Sequence, residues 1–364
     1  MIKKRTKLKM IRNIIFFIAL IYITFTLLFK DQDMGLLFKT ISEVDKGYLI
    51  IGALFMLGYF TTEAYNLRRL LYVFGEKKIS IFKALKFTFI GFFFSSITPA
   101  ASGGQPLEIY YMSKDKISVP KATLACLVML CGYQISTISL SVISVIFNRD
   151  ILDSYLLWLY ILGVGINLIA LASLLIGVFS RKLTLKLINF VVGVLKFFRV
   201  KNLEKKKETI YSALNKYNES SKYIKSHMWE FTKAILRGFL QTSLYYCVPF
   251  FIYKSLGLSG ENIFHMFAMQ AILFATVSGL PLPGAVGISE TVFLKIFKGA
   301  FGIGLINASM LLSRGVTFYL YVIISLIVVV TNAIKMKNVK GEIDKKVKII
   351  EKENLYTRNL KEAI

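Results

Sequence analysis

Histidine and cysteine are scarce in this sequence of 364 residues, which contains two histidines and three cysteines. Cys126, Cys131 and Cys247 all lie within apolar runs, where a thiol usually serves as a small buried side chain. His227 and His265 are far apart in the sequence. We therefore expect neither a disulfide framework nor a metal site.

The sequence also lacks the short motifs of nucleotide-dependent and hydrolytic enzymes. It contains no phosphate-binding P-loop, no zinc-binding pattern, no nucleophile elbow and no dinucleotide fingerprint. These absences argue against transport driven by ATP, and we expect no bound cofactor. Any function of the chain must depend on side chains outside these motifs.

Charged residues are few as well, at 18% of the chain, against about 25% in soluble domains. Apolar residues make up 55%. Several apolar runs reach about 20 residues, which is enough to cross a bilayer core of about 30 Å. The composition excludes a soluble globular enzyme and predicts an all-α integral membrane protein with several spans.

Acidic residues number 21 against 46 lysines and arginines, which gives a formal net charge of +25. Such an excess can indicate nucleic-acid binding, and an RNA-binding role for the basic segments is the alternative. The basic residues lie between the apolar runs, however, as they do in the cytoplasmic loops of membrane proteins. We therefore expect contact with anionic lipid and no nucleic-acid partner.

The alternation of apolar runs and basic loops divides the chain into five regions. We predict an N-terminal anchor span and outer loop over residues 1–46, a first membrane repeat with an extra span over 47–180, a basic amphipathic cytoplasmic loop over 181–229, a second membrane repeat over 230–334 and a basic cytoplasmic tail over 335–364. About six full spans are predicted, at residues 14–29, 48–67, 122–147, 155–179, 231–253 and 306–330. Both termini are then cytoplasmic, and the protein crosses the plasma membrane of a bacterium or an archaeon several times.

Two further apolar stretches, at residues 84–112 and 263–301, are broken in the middle by proline and glycine. The surrounding charges place both flanks of each stretch on one face of the membrane. A broken segment exposed to lipid would leave backbone groups unpaired. We therefore predict two re-entrant hairpins that enter from opposite faces. The alternative is that each stretch crosses fully, which would give seven or eight transmembrane helices.

The broken centres of the two stretches match each other. Residues 98–108 and 280–290 both have proline at the second position and a glutamate, Glu108 or Glu290, at the last. Each stretch lies between two spans, and the two sets have opposite orientations, so we predict an inverted repeat with a site near the bilayer midplane. The predicted backbone-breaking residues are Pro99, Gly103, Gly104, Pro281, Pro283, Gly284 and Gly287.

Ionisable residues within the apolar stretches form the candidate site. Glu108 and Glu290 could line a polar cavity, where they would bind a cationic head group or relay protons. The alternative is that each caps a returning helix. Arg314 is predicted about 12 Å deep in the last span, so it requires a partner, and we predict Glu290. That pair could instead be purely structural.

Four glutamines also lie in the apolar stretches. We predict that Gln105 and Gln270 line the same cavity, and Gln134 and Gln241 are further candidates. The alternative for each amide is a hydrogen bond that holds two membrane helices together. The predicted site is thus a polar cavity of carboxylates, amides and one guanidinium group.

These motifs support a resemblance to a known family. Residues 99–108 with their two glycines, residues 281–290 and Arg314 resemble the membrane part of lysylphosphatidylglycerol synthases. The family includes stand-alone bacterial and archaeal proteins described as flippase-like, and the resemblance covers about residues 48–332. The chain departs from the usual second motif at Ala285 and Val286, where the family is richer in glycine.

The resemblance implies an integral membrane transporter that moves a lipid or a lipid-linked molecule between leaflets. Its cargo would be an anionic or aminoacylated phospholipid, such as aminoacylated phosphatidylglycerol. Such transport would serve lipid modification of the cell envelope and resistance to cationic antimicrobials. A separate soluble synthase and a second copy of the chain are further candidate partners.

Two alternatives to transport remain open. Full-length members of the family carry a soluble domain that moves lysine from lysyl-tRNA onto phosphatidylglycerol, so the chain could be a phosphatidylglycerol lysyltransferase or its membrane half. The polar segments 181–230 and 335–364 are each too short for such a domain, and we therefore expect no lysyltransferase activity. The second alternative is a non-catalytic scaffold for envelope synthesis.

Overall fold

A computed structural model describes residues 15, 22, 34–98, 101–179, 228–280 and 282–335 of the chain. Every regular element within these residues is helical. The all-α fold predicted from the composition is therefore confirmed. The anchor span at 14–29, most of the basic loop at 181–229 and the tail from residue 336 lie outside the described residues.

The helices are numbered here along the described chain. They are α1 (Met34–Glu43), α2 (Lys46–Val73), α3 (Ile81–Ser96), α4 (Gly104–Lys114), α5 (Val119–Phe147), α6 (Ser154–Phe179), α7 (Met228–Tyr246), α8 (Val248–Ser255), α9 (Ile263–Val277), α10 (Ile288–Ile296) and α11 (Lys298–Arg314). A π-helical turn, Gly315–Tyr319, follows α11, and the helix then continues to Lys335. Short 3-10 turns lie at Arg149–Ile151 and Pro283–Ala285.

Four helical segments in the described part of the chain are long and apolar enough to cross a membrane. They are α2, α5, α6 and the segment Lys298–Lys335 that begins with α11, and they contain four of the predicted spans. The span predicted at 231–253 is divided, because α7 ends at Tyr246 and α8 begins at Val248. Pro249 lies at the start of α8, where its missing N–H and fixed φ favour a new helix start over continuation of the old one.

The ends of the long helices meet in an antiparallel arrangement. At one end of the bundle, Arg69 near the end of α2 contacts Glu230 at the start of α7, with 3.4 Å between Nη2 and Oε1. At the other end, the backbone N–H of Asp45, just before α2, donates to the carbonyl of Ser255, the last residue of α8, at 2.9 Å. Helix α2 therefore runs antiparallel to α7 and α8.

The first broken stretch is a helical hairpin formed by α3 and α4. The two arms approach so closely that a Cβ added to Gly104 would lie 2.9 Å from the carbonyl oxygen of Gly91 and 1.9 Å from Oγ of Ser95. The outer ends are joined as well, because Nζ of Lys86 lies 2.7 Å from Oδ2 of Asp115. Both ends of this stretch thus lie at the same end of the bundle.

Asp115 remains charged in this junction. Burial by itself would raise the pKa of its carboxyl, but hydrogen bonds and charge from Lys86 and Lys83 outweigh burial and lower the pKa below its usual value. A carboxyl whose pKa is lowered by folding stabilises the folded state at neutral pH. This stabilisation is lost as pH falls through the folded-state pKa. The junction is therefore an ion pair under physiological conditions.

The second broken stretch is a hairpin of α9 and α10, joined by the 3-10 turn. Its two flanks meet at Tyr253 of α8: the N–H of Glu261 donates to the tyrosine hydroxyl at 3.3 Å, and the ring of Phe301 lies 5.6 Å from the tyrosine ring. At the break, Gly284 has φ +59° and Gly287 has φ +93°, conformations that glycine adopts most readily. Pro281, like Pro99 of the first break, lies outside the described residues.

The two halves pack through small residues. A Cβ added to Gly238 of α7 would lie 2.8 Å from the carbonyl carbon of Gly132 of α5. A Cβ on Gly163 of α6 would lie 2.5 Å from the carbonyl oxygen of Ala275 of α9. Close backbone approach at small residues is the usual way in which membrane helices associate. The order of elements, helix, hairpin and helix, occurs twice, and the inversion between the two sets remains a prediction.

The paired flanks of each hairpin lead to a labelling test on variants with single introduced cysteines. Cysteines at Lys77 and Lys116 should both react only with an impermeant reagent added inside, because these positions flank the first hairpin. Cysteines at Glu261 and Gly302 should both react only from outside. Labelling of the two members of either pair from opposite faces would contradict the hairpin arrangement.

Candidate functional site

A cavity of about 490 Å³ lies between the two hairpins. Both hairpins contribute to its wall. The first hairpin provides Gln105 and Glu108 of α4, and the second provides Gly284 of its break and Ser289 of α10. Arg314 at the end of α11 also lines it. Residues of α2, α5, α7 and α9 complete the enclosure. The two broken stretches and the last span thus meet around one cavity, in which ionisable and amide side chains lie among apolar ones.

Arg314 connects the last span to the second hairpin. Its Nε lies 2.8 Å from Oε1 of Glu290, and its Nη2 donates to the carbonyl of Gly284 at 3.0 Å. The guanidinium carbon also lies 4.3 Å from the centre of the Phe318 ring. The ion pair predicted between Arg314 and Glu290 is therefore present. A guanidinium has five N–H groups, more than these two hydrogen bonds use.

Glu290 is buried, at 2% exposure, and its second carboxylate oxygen is also occupied. Oε2 accepts from the N–H of Gly287 at 2.7 Å and from the hydroxyl of Ser289 at 2.8 Å. Glu290 therefore caps α10 and pairs with Arg314 at the same time, and, unlike Glu108, it is not among the residues that line the cavity. Its role in the geometry is to hold Arg314 at the cavity wall.

Glu108 occupies the matching position in the first motif but has a different environment. It is 4% exposed, it lines the cavity, and its Oε1 has no hydrogen-bond partner. It lies beyond the first turn of α4, so it does not act as a helix cap. Gly91 of α3 provides the space for it, because a Cβ at that position would lie 2.9 Å from Oε2 of Glu108.

Glu63 of α2 is a further carboxylate in the cavity wall that the sequence analysis did not identify. Its Oε2 accepts a hydrogen bond from Nε2 of Gln241 of α7 at 3.0 Å. Glu63 and Glu108 therefore line the same cavity from two different helices. A signal was available in the sequence, since Glu63 is a lone acidic residue within the apolar run at 48–67, and such residues are costly in a membrane helix.

The four glutamines all line the cavity, as predicted for Gln105 and Gln270. Gln241 is bound to Glu63, as described above. Oε1 of Gln134 and Oε1 of Gln270 are buried without a hydrogen-bond partner. Gln134, Gln270 and Glu108 thus each contribute to the cavity wall a side chain with a buried, unpaired oxygen.

The glycines of the two breaks serve the site by shaping the backbone. The N–H of Gly103 donates to Oγ1 of Thr98 at 2.9 Å, which closes the first turn. A Cβ on Gly284 would lie 2.4 Å from the Phe318 ring, so only glycine fits between this ring and Arg314. Ala285 has φ +53°, so the second turn uses a left-handed conformation at a non-glycine position as well. Pro283 is buried beneath the turn.

Within the described ranges, no group of three or more histidine, cysteine, aspartate or glutamate side chains is placed to hold a metal ion. Cys126, Cys131 and Cys247 are all free thiols. The chemistry of the cavity is therefore that of carboxylates, amides, aromatic rings and one guanidinium.

The fold and the cavity define an all-helical membrane protein in which two broken hairpins enclose a polar interior. The family described as Lysylphosphatidylglycerol synthase TM region matches residues 12–325, and the chain belongs to this family. A UPF0104 membrane protein of Archaeoglobus fulgidus is 23% identical over 325 residues, which cover 87% of this chain and 96% of that protein. The family resemblance drawn from the two motifs and Arg314 is thus confirmed.

The buried ion pair leads to a prediction for stability. Arg314→Ala should lower the free energy of unfolding by about 3–5 kcal/mol, because it leaves the Glu290 carboxylate buried without its partner. Glu290→Ala should cost at least as much, since α10 also loses its cap. The double substitution should be less harmful than the sum of the two. Unfolding of the purified protein in detergent measures all three.

The exposed pair of Lys39 and Glu43 provides the matched control. Their charged atoms lie 4.0 Å apart, and the two side chains are 70% and 64% exposed. Glu43→Ala should change the free energy of unfolding by less than about 1 kcal/mol. If the double substitution lowers the free energy of unfolding by the sum of the two single effects at Arg314 and Glu290, the two side chains are not energetically coupled.

Proposed function

We propose that the chain is a lipid transporter of the flippase kind. The polar head of the lipid would pass through the cavity between the hairpins while its acyl tails stay in the bilayer. The observation that carries this proposal is the convergence of Glu63, Glu108 and Arg314, one from each of three separate elements, on one cavity between apolar helices. Ionisable residues in such positions usually mark the path of a polar substrate.

The dimensions of the cavity support a head group as the cargo. Its volume of about 490 Å³ falls within the range of about 300–1,000 Å³ that is typical of sites for small molecules. The outer surface, by contrast, carries exposed large apolar side chains such as Trp158, Ile169 and Ile323. A lipid with its head inside and its tails against this surface satisfies both environments.

Arg314 is the candidate site for the lipid phosphate. A guanidinium binds phosphate through two parallel N–H donors, and Glu290 would keep it oriented towards the cavity. The family description contains the name lysylphosphatidylglycerol, so lysylated phosphatidylglycerol is the first cargo to test, beside phosphatidylglycerol itself. Transport of such a lipid would alter the charge of the outer leaflet and thereby resistance to cationic antimicrobials.

Translocation can be measured with the full chain in vesicles that contain lysylated phosphatidylglycerol. Its exposed amine is modified by an impermeant reagent, so movement between leaflets is visible as a change in the accessible fraction. We expect faster movement than in protein-free vesicles. Glu108→Gln should slow it by about tenfold, the effect of losing one charge-assisted hydrogen bond, while Glu43→Gln should not. Equal rates with and without the protein would refute transport.

The family description also supports a second candidate, a phosphatidylglycerol lysyltransferase. This activity would require transfer of lysine from lysyl-tRNA to phosphatidylglycerol. We expect purified protein with both substrates to form no lysylated lipid, because the described membrane region has no motif for activating an aminoacyl group. Product formation above a control without protein, detected by mass spectrometry, would favour the enzyme over the transporter.

A further inference from the structure

Three side-chain oxygen atoms of residues that line the cavity are buried without a hydrogen-bond partner. They are Oε1 of Glu108, Oε1 of Gln134 and Oε1 of Gln270, each buried without a partner within the described part of the chain. A buried acceptor without a donor is unfavourable, whereas a ligand that supplies N–H groups removes the penalty. The interior is therefore complementary to a ligand rich in donors.

The carboxylates of the cavity also lack basic partners. Other enclosed acids among the residues that the structure describes are paired, Glu290 with Arg314, Glu230 with Lys233 and Asp115 with Lys86. No ion pair of Glu63 or Glu108 occurs among the same residues. Three glutamates and one arginine thus lie in or directly behind the cavity wall, and the acids outnumber the base. This imbalance favours a cationic ligand.

Aromatic rings line the same cavity as the two carboxylates without basic partners. Tyr59 lies one helical turn before Glu63 on α2, and Tyr133 and Tyr245 line the same cavity. The ring centres of Tyr59 and Tyr245 are 6.0 Å apart. The faces of aromatic rings attract organic cations, and proteins use such rings to enclose ammonium groups. An organic cation fits this wall better than a metal ion, since no three-ligand cluster is found in the described ranges.

We propose that Glu63 and Glu108 form a binding site for a primary ammonium group in the lipid head. This inference rests on the proposed function and specifies which lipids the cavity selects. A primary ammonium carries three N–H donors, and these match the free acceptors on Glu108, Gln134 and Gln270. A quaternary ammonium has the same charge but no donor, so it would leave the acceptors unsatisfied. The cavity would then hold a phosphate at Arg314 and an ammonium at Glu63 and Glu108.

The test compares lipids that differ only in the N–H groups of the head. Full-length protein in detergent is incubated with equal amounts of phosphatidylethanolamine and phosphatidylcholine with the same acyl chains, and the retained lipid is counted by native mass spectrometry. We expect the wild-type protein to retain about tenfold more phosphatidylethanolamine. Lysylated phosphatidylglycerol should be preferred over phosphatidylglycerol for the same reason.

Three variants examine the site itself. Glu63→Gln and Glu108→Gln keep the shape of each side chain and should reduce the preference for phosphatidylethanolamine to near unity. Gly91→Ala keeps both carboxylates but displaces Glu108, since the new Cβ would lie 2.9 Å from Oε2, and it should reduce the preference severalfold. Glu43→Gln, a change in an exposed side chain, is the matched control and should behave as wild type. Thermal unfolding of each variant confirms that it is folded.

The outcomes separate the site from the transport activity. Equal retention of the two lipids by the wild-type protein, or an unchanged preference in both glutamine variants, overturns the ammonium site. An inorganic cation is the other outcome. In that case sodium chloride, but not choline chloride, would raise the thermal stability of the wild-type protein, both glutamine variants would lose this effect, and no lipid preference would be seen. That result would also overturn the proposal. Lipid preference without translocation supports the site and refutes transport, whereas translocation without preference refutes only the site.

Discussion

The hydrogen bonds made by Arg314 and Glu290 allow the second hairpin to exist within a membrane. A break in a membrane helix releases backbone groups that lipid cannot satisfy. Arg314 donates to the carbonyl of Gly284 on one side of the turn, and Glu290 accepts from the N–H of Gly287 on the other. Because the two side chains also neutralise each other, the turn is satisfied without leaving a charge unpaired. The π-helical turn that follows Arg314 places the ring of Phe318 against the same guanidinium. The ring thus covers one face of the guanidinium.

The first hairpin meets the same requirement without an ion pair at its turn. Thr98 donates to the carbonyl of Phe94 and accepts from the N–H of Gly103, and the arms touch through Gly91 and Gly104. Glu108 therefore has no structural task there. The two glutamates at matching positions of the sequence therefore differ: Glu290 stabilises the turn, whereas Oε1 of Glu108 has no hydrogen-bond partner.

The family to which the chain belongs and the geometry of its interior support each other. The proposed transporter requires polar groups along the path of the head group, and the cavity between the hairpins provides them among apolar side chains. Glu63 and Arg314 lie on different helices of the cavity wall, and only Arg314 is paired with an opposite charge. In the proposed complex, the ammonium of the head group would lie at the acids and its phosphate at Arg314.

Much of the fold and part of the candidate site were predictable from the sequence alone. The length of the apolar runs and the basic loops between them predicted the all-α class. The matched motifs predicted the positions of both hairpins, because glycine and proline break helices locally. The pairing of Arg314 with Glu290 was predictable because a charge within an apolar run is costly without a partner. Only the tertiary structure placed Glu63 beside Glu108 and divided the predicted span at Cys247. It also distinguished the cap at Glu290 from the unpartnered Glu108. These features depend on which helices pack together, through contacts such as Gly132 with Gly238, and residues so far apart in the chain carry no local signal of their proximity.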